Sequence, residues 1–70
     1  MEKIILNGKK LVAIRYEPLT FTLELEFRNQ GIIRYFGIPG YIFENLKKAS
    51  SKEDFVNRYI KNAGYSYEKL

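Results

Sequence analysis

The sequence predicts an α+β fold in which a three-stranded antiparallel β-meander packs against two C-terminal helices, in the order β-β-β-α-α. Up to Pro39 the apolar residues alternate with polar ones, which is the period of a strand with one buried face. Beyond Pro39 their spacing becomes about 3.6 residues, the period of an amphipathic helix. The apolar faces of the sheet and helices must cover each other, so we expect a two-layer domain.

The composition limits what this domain contains. The chain has 70 residues, enough for one domain and too few for two, so we expect a single domain over residues 1–70. It has no Cys and no His, so neither disulfides nor a Cys/His zinc site stabilises it. No stretch matches a calcium loop, a phosphate-binding glycine loop or a dinucleotide fingerprint. We therefore expect no metal and no cofactor.

The N-terminal residues 1–9 allow two interpretations. They are either a leader or an additional short edge strand, because the apolar run Ile4–Leu6 precedes the hairpin-type turn signal Asn7-Gly8. This run is far too short for a signal peptide or a membrane span. We therefore expect a cytoplasmic protein with no membrane partner.

Residues 11–17, 20–28 and 32–36 predict the three strands. Turn-forming residues at Pro18-Leu19 and Asn29-Gln30-Gly31 separate them. The alternation is clearest in the second stretch, where polar residues separate Phe21, Leu23, Leu25 and Phe27. Such a strand has one face on the core and one face in water.

Two helices are predicted after Pro39, a residue that suits the first turn of a helix because its missing N–H costs nothing there. The spacings Ser50-x-x-Glu53 and Ser51-x-x-Asp54 are N-cap signatures and predict where the second helix begins. The apolar faces of all these elements form the expected core, which comprises Val12, Ile14, Tyr16, Phe21, Leu23, Leu25, Phe27, Ile33, Tyr35, Ile42, Phe43, Leu46, Ala49, Phe55, Tyr59 and Ile60.

Several short motifs follow one another along the chain in the order typical of a known family. They are Tyr16-Glu17, Leu23-Glu24-Leu25-Glu26-Phe27, Gly37-Ile38-Pro39, Ala49-Ser50-Ser51-Lys52, Asn57, Ile60-Lys61 and Tyr65-Ser66-Tyr67. In this order the chain resembles the KTSC domain family, short domains that occur free-standing and at the C-terminus of some lysyl-tRNA synthetases. The resemblance implies the β-β-β-α-α fold, and RNA binding is proposed for the family because of the synthetase association. Ile33 replaces the first Tyr of the family's central Tyr-x-Tyr, which weakens any stacking role at that strand.

Catalysis has little support in the sequence. Without His and Cys, the usual general bases and the thiol nucleophile are missing. Glu24 and Glu26 form a pair of carboxylates roughly 7 Å apart on one strand face. That face is expected to be solvated, so nothing separates their pKa values for acid–base chemistry. We therefore expect a protein that is not an enzyme and has no catalytic residues.

Nucleic-acid binding is the first functional hypothesis. The net charge is +4, and the chain carries six Tyr and five Phe. Proteins that bind single strands combine a basic groove with aromatic stacking platforms. We therefore expect a binding module for RNA or single-stranded nucleic acid, with candidate contacts at Arg34, Lys47, Lys48, Lys52, Arg58 and Lys61.

Protein–protein interaction is the alternative. Exposed apolar residues beside an open sheet edge are typical of an interface. The candidate interface residues are Ile32, Phe36, Tyr65 and Tyr67. Such a module serves as an adaptor or inhibitor, or associates with itself, and a small ligand bound between subunits is a further version of this alternative. Salt dependence distinguishes the two hypotheses, because only phosphate contacts release counterions.

Overall fold

The structure is a computed structural model that describes residues 1–70 and contains one five-stranded antiparallel sheet with two helices packed on one face. The strands of the sheet follow the order of the chain. The elements are β1 (Glu2–Ile5), β2 (Leu11–Glu17), β3 (Thr22–Phe27), β4 (Gly31–Tyr35), α1 (Gly40–Lys48), α2 (Lys52–Tyr59), a 3₁₀ turn (Lys61–Ala63) and β5 (Tyr67–Lys69).

The α+β class and the two C-terminal helices are confirmed, but the three-stranded meander is wrong. Residues 1–9 contribute the edge strand β1, in which Ile4 lies opposite Ile14 of β2. After the helices the chain returns to the sheet as β5, in which Tyr67 lies opposite Tyr35 of β4. Strand β5 has only three residues, too few for an alternating pattern to be recognised in the sequence.

The core between sheet and helices is built around Tyr16. Its ring stacks on Phe43 of α1 with the centroids 4.7 Å apart, and its hydroxyl donates a hydrogen bond of 2.6 Å to the Ile38 carbonyl. Burial raises the pKa of this phenol above its usual value of 10.0. Twelve buried apolar residues form the core, namely Leu11, Ile14, Tyr16, Leu23, Leu25, Phe27, Tyr35, Ile38, Phe43, Leu46, Val56 and Ile60.

Four residues predicted for the core are absent from it, one of which is the half-buried Ala49 at the end of α1. A β-bulge between Leu11 and Ala13 shifts the alternation, so Leu11 is buried in the core and Val12 is only half-buried. Phe21 ends the β2–β3 turn with a φ of 55°, and its side chain is 54% exposed because the strand begins only at Thr22. Tyr59 is 50% exposed at the end of α2.

The start of α2 is joined to the β1–β2 connection through Glu53. Its carboxylate accepts hydrogen bonds from the N–H groups of Lys10 at 3.0 Å and Leu11 at 3.3 Å. Of the two predicted N-cap signatures, Ser51-x-x-Asp54 is confirmed, since the Ser51 hydroxyl accepts from the Asp54 N–H at 3.3 Å, whereas Ser50 lies before the cap. The two backbone hydrogen bonds stabilise the carboxylate and lower the pKa of Glu53 from its usual value of 4.5.

The close packing at this junction requires a glycine at position 8. A Cβ atom there would overlap the carbonyl oxygen of Leu11 and press against Glu53. We expect Gly8→Ala to lower the free energy of unfolding by about 1–3 kcal/mol, because the backbone must shift to admit the methyl group. Urea unfolding followed by circular dichroism measures the change.

Gly40→Ala is the matched control, because a Cβ atom in this first helical turn meets only the Tyr16 hydroxyl, at 4.0 Å. Its stability should be unchanged or higher by up to about 1 kcal/mol. Equal stability of Gly8→Ala and the wild type would show that the connection adapts freely to the added atom.

The lowered pKa of Glu53 makes the stability of the domain depend on pH. Because the folded-state pKa lies below the usual 4.5, the stabilisation is complete above that pH and is lost as the pH falls through the lowered value. Glu53→Gln imitates the protonated side chain, so it should lower the melting temperature at pH 7 and change it little at strongly acidic pH. Thermal melts of both proteins across this range measure the difference, and a constant difference would contradict the assignment.

Candidate functional site

The six predicted nucleic-acid contacts do not form one patch, and Arg34 is the clearest exception. Arg34 lies on the sheet face opposite the helices, in a row with Arg15, Glu24 and Glu68 of the neighbouring strands. Its guanidinium binds Glu24 through Nε at 3.0 Å and Nη2 at 2.9 Å, and Glu68 through Nη1 at 3.1 Å. The hydrogen bond to Glu24 is the main reason why the pKa of Arg34 is raised. Its charge is thus already paired.

This row of charges also corrects the expectation that Glu24 lies on a solvated face. Glu24 is only 8% exposed although no helix covers it, because the neighbouring arginines surround it. Glu26 pairs with Arg15 Nη2 at 3.1 Å. No group of three or more His, Cys, Asp or Glu side chains is clustered so as to hold a metal ion. The two carboxylates belong to ion pairs that hold the sheet face together.

Lys47 and Lys52 are also engaged within the protein. The Nζ of Lys47 lies 3.0 Å from Glu44 and 3.6 Å from Glu2, which joins α1 to β1. The hydrogen bond to Glu44 is the largest reason why the pKa of Lys47 is raised. The Nζ of Lys52 donates to the Ala49 carbonyl at 3.0 Å, at the C-terminal end of α1. These cations stabilise helix ends and strand contacts.

Lys48 and Arg58 are exposed and make no ion pair. Arg58 lies beside a groove between α1 and α2, whereas Lys48 is not among the residues that line the groove. Lys48 follows Tyr41 by seven residues on α1, which places both on one side of the helix. Arg58 lies on α2 in a shallow extension of the groove that also contains Asp54. The groove has a volume of about 630 Å³ and is lined by Tyr41, Ile42, Asn45, Ala49, Phe55 and Tyr59.

The aromatic rings of this groove face solvent. Tyr41 is 66% exposed and Tyr59 is 50% exposed. Phe55 lies one helical turn from Tyr59, and the two ring centroids are 4.7 Å apart with the planes tilted by 42°. Such rings offer flat apolar surfaces on which a planar ligand group stacks. The sequence predicted both residues for the core from their spacing. Phe55 does pack against the core, whereas Tyr59 is exposed, and both line the groove, which the sequence did not predict.

Lys61, the sixth predicted contact, lies at a different place. Its Nζ is 4.9 Å from the centroid of the Phe27 ring, a cation–π contact at the end of β3. It lines a cleft together with Lys10 and Arg28, which the sequence did not bring together. These residues come from three separated segments of the chain, and only the adjacent lysines after the Asn7-Gly8 turn gave a local signal.

The four residues predicted for a protein interface do not form one exposed surface either. Ile32 is half-buried, and its carbonyl accepts a hydrogen bond of 2.8 Å from the Leu70 N–H. Phe36 is partly exposed, and its N–H donates to the Ser66 carbonyl at 2.9 Å. The C-terminal segment therefore covers the edge of β4 that the prediction left open. Tyr65 packs against the core, whereas Tyr67 is exposed with its ring centroid 5.5 Å from that of Tyr35.

The fold and its surfaces define a small two-layer α+β domain with an exposed aromatic groove between its helices. Neither helix is long and apolar enough to cross a membrane. The family model of the KTSC domain matches residues 8–65. The chain belongs to the KTSC domain family, and the resemblance noted in the sequence is confirmed.

The relatives include long enzymes and proteins of this chain's own size. A lysine–tRNA ligase of Nostoc sp. is 41% identical over 64 residues, which are 91% of this chain but 11% of the ligase. An uncharacterized protein of Stutzerimonas stutzeri is 27% identical over 70 residues, 100% of this chain and 99% of that protein. The chain thus spans about a tenth of the length of the ligases it matches.

A solved structure has the same fold. The crystal structure of a KTSC domain protein from Yersinia pestis matches with a TM-score of 0.92 and 29% sequence identity. The match covers 99% of this chain and 96% of that chain. The five-stranded sheet and the two helices therefore correspond over nearly their whole extent.

The ion pairs of Arg34 predict a structural role for this residue. We expect Arg34→Gln to lower the melting temperature, because Glu24 and Glu68 lose their partner, and to leave the affinity for single-stranded RNA unchanged. Lys48→Gln breaks no ion pair, so it should leave the melting temperature unchanged and weaken the binding of RNA. Thermal melts and fluorescence anisotropy with a labelled RNA check both variants. A large loss of RNA affinity in Arg34→Gln would show that Arg34 does contact the RNA.

Proposed function

We propose that this protein is a non-catalytic RNA-binding module that binds a single-stranded segment in the groove between α1 and α2. The exposed aromatic pair of the groove, Tyr41 and Tyr59, is the observation that carries the proposal. Bases stack on such rings whatever their sequence, and the contact contributes about 1–3 kcal/mol per base. Arg58 lies in the extension of the groove and Lys48 on the Tyr41 side of α1, and neither makes an ion pair, so we assign them to the phosphates of the same strand.

The relatives support RNA as the ligand. The enzymes that contain this domain are lysine–tRNA ligases, and the domain accounts for only 11% of the length of each. A small part added to an enzyme that acts on tRNA is well placed to hold that RNA. The same domain in proteins of its own length fits a module that binds RNA by itself. We propose a cytoplasmic location together with this role.

A protein partner is the second candidate. Both edges of the sheet are open, because β1 and β5 each pair with only one strand. Ile5 of β1 is 68% exposed, and an exposed apolar edge residue favours pairing with another chain. Light scattering after size-exclusion chromatography distinguishes this case, since a complex formed through a sheet edge persists at high salt.

The groove is tested by measuring the affinity for a fluorescein-labelled single-stranded RNA by anisotropy. We expect Tyr59→Ala to weaken binding by about tenfold, because one stacked base is lost. Tyr59→Phe should bind nearly as tightly as the wild type, since it keeps the ring. The slope of log K against log[salt] should be about −0.7 for each phosphate contacted.

Tyr67→Ala is the matched control, because Tyr67 is exposed to 65%, more than Tyr59, but lies on β5 at the edge of the sheet. Its affinity should equal that of the wild type. Equal losses with Tyr59→Ala and Tyr67→Ala would rule out the groove as the site. Binding that does not weaken with salt would rule out phosphate contacts.

A further inference from the structure

We propose that the cleft between Lys10, Arg28 and Lys61 is a phosphate-binding site. The biological meaning of this site rests on the proposed RNA-binding function, because the site would hold a phosphate of the RNA away from the aromatic groove. Its affinity for phosphate is a separate property that needs no RNA to be measured.

The cleft is formed where three parts of the chain meet. Lys10 comes from the connection between β1 and β2, Arg28 from the turn between β3 and β4, and Lys61 from the 3₁₀ turn after α2. Phe27, Asn29 and Gln30 complete its lining, and its volume is about 230 Å³. This is smaller than the roughly 300 Å³ of the smallest typical small-molecule pockets, so the cleft suits a phosphate group better than a whole nucleotide.

The cations of the cleft are held in place but are not neutralised. Arg28 donates from Nε to the Lys9 carbonyl at 3.1 Å and from Nη2 to the Gly8 carbonyl at 3.2 Å. These bonds fix the plane of the guanidinium and leave Nη1 for a ligand. Lys61 is held over the ring of Phe27. None of the cations that line the cleft makes an ion pair.

The nearest acidic group does not cancel this charge. Oε2 of Glu53 already accepts hydrogen bonds from the backbone N–H groups of Lys10 and Leu11. Lys9 lies close enough to Glu53 to contribute to lowering its pKa and adds a further positive charge near the cleft. Three cations line the cleft, Lys9 lies nearby and no acidic side chain is among the lining residues, so an anion entering the cleft meets a positive potential.

The donors favour phosphate over a carboxylate or a base. A phosphate group accepts several hydrogen bonds at once, and the cleft offers an arginine, two lysines and two amides. The only aromatic ring there, Phe27, is buried and covered by Lys61, so no base stacks on it. The phosphate has two sources, an internal phosphodiester of the bound strand or a terminal phosphate monoester.

Inorganic phosphate is the first probe, added to the ¹⁵N-labelled protein at constant ionic strength. We expect saturable shifts of the amide signals of residues 28–30 and of Lys10. Lys61→Gln should weaken this binding by about threefold to fivefold, because one exposed charge contact is lost. Lys69→Gln, an equal change of charge on β5, should leave the titration unchanged. Shifts that are not saturable, or that respond equally to both variants, would overturn the proposal.

RNA with and without a 5′-phosphate then identifies the source. A gain in affinity from the 5′-phosphate that Lys61→Gln abolishes assigns the cleft to the strand terminus. The cleft is assigned to an internal phosphodiester if the 5′-phosphate gives no gain in affinity and Lys61→Gln binds RNA more weakly. The salt slope of Lys61→Gln should then be smaller by about 0.7. Saturable binding of phosphate without any binding of RNA would refute the RNA-binding function and leave the cleft standing.

Discussion

The hydrogen bond from the Tyr16 hydroxyl to the Ile38 carbonyl is the contact on which the arrangement of the two layers depends. It lies in the interior, where an unpartnered carbonyl would cost about 1–3 kcal/mol. It fixes the connection that leaves β4, and the stacking of the same ring on Phe43 then sets α1 over the sheet. Because α2 packs beside α1, the aromatic groove takes its position from this interaction.

The sequence predicted those parts of the fold that follow from local periodicity. The alternation of Leu23, Leu25 and Phe27 and the cap at Ser51 are properties of neighbouring residues, and both are confirmed. The bulge before Ala13 and the short strand β5 depend on which strand lies alongside, which no local pattern records. The functional surfaces could not be predicted from the sequence, since no spacing along the chain places Lys61 beside Arg28.

The cations that the sequence assigned to nucleic-acid binding have different uses in the structure, and Lys61 lies apart from the others in the cleft with Lys10 and Arg28. Arg34, Lys47 and Lys52 bind carboxylates or a carbonyl of the protein and join strands and helix ends. Lys48 and Arg58 make no such bonds, and only they remain free on the two helices. A count of basic residues therefore overstates the charge that a partner meets.

The order of the strands in the sheet also governs how the chain folds as it is synthesised. Strands β1 to β4 pair with their predecessors through short connections, so each pairing closes only a small loop. These four strands leave the ribosome before either helix, and their apolar face stays uncovered until α1 and α2 arrive. Strand β5 must wait for both helices before it reaches β4, so its pairing completes the sheet last.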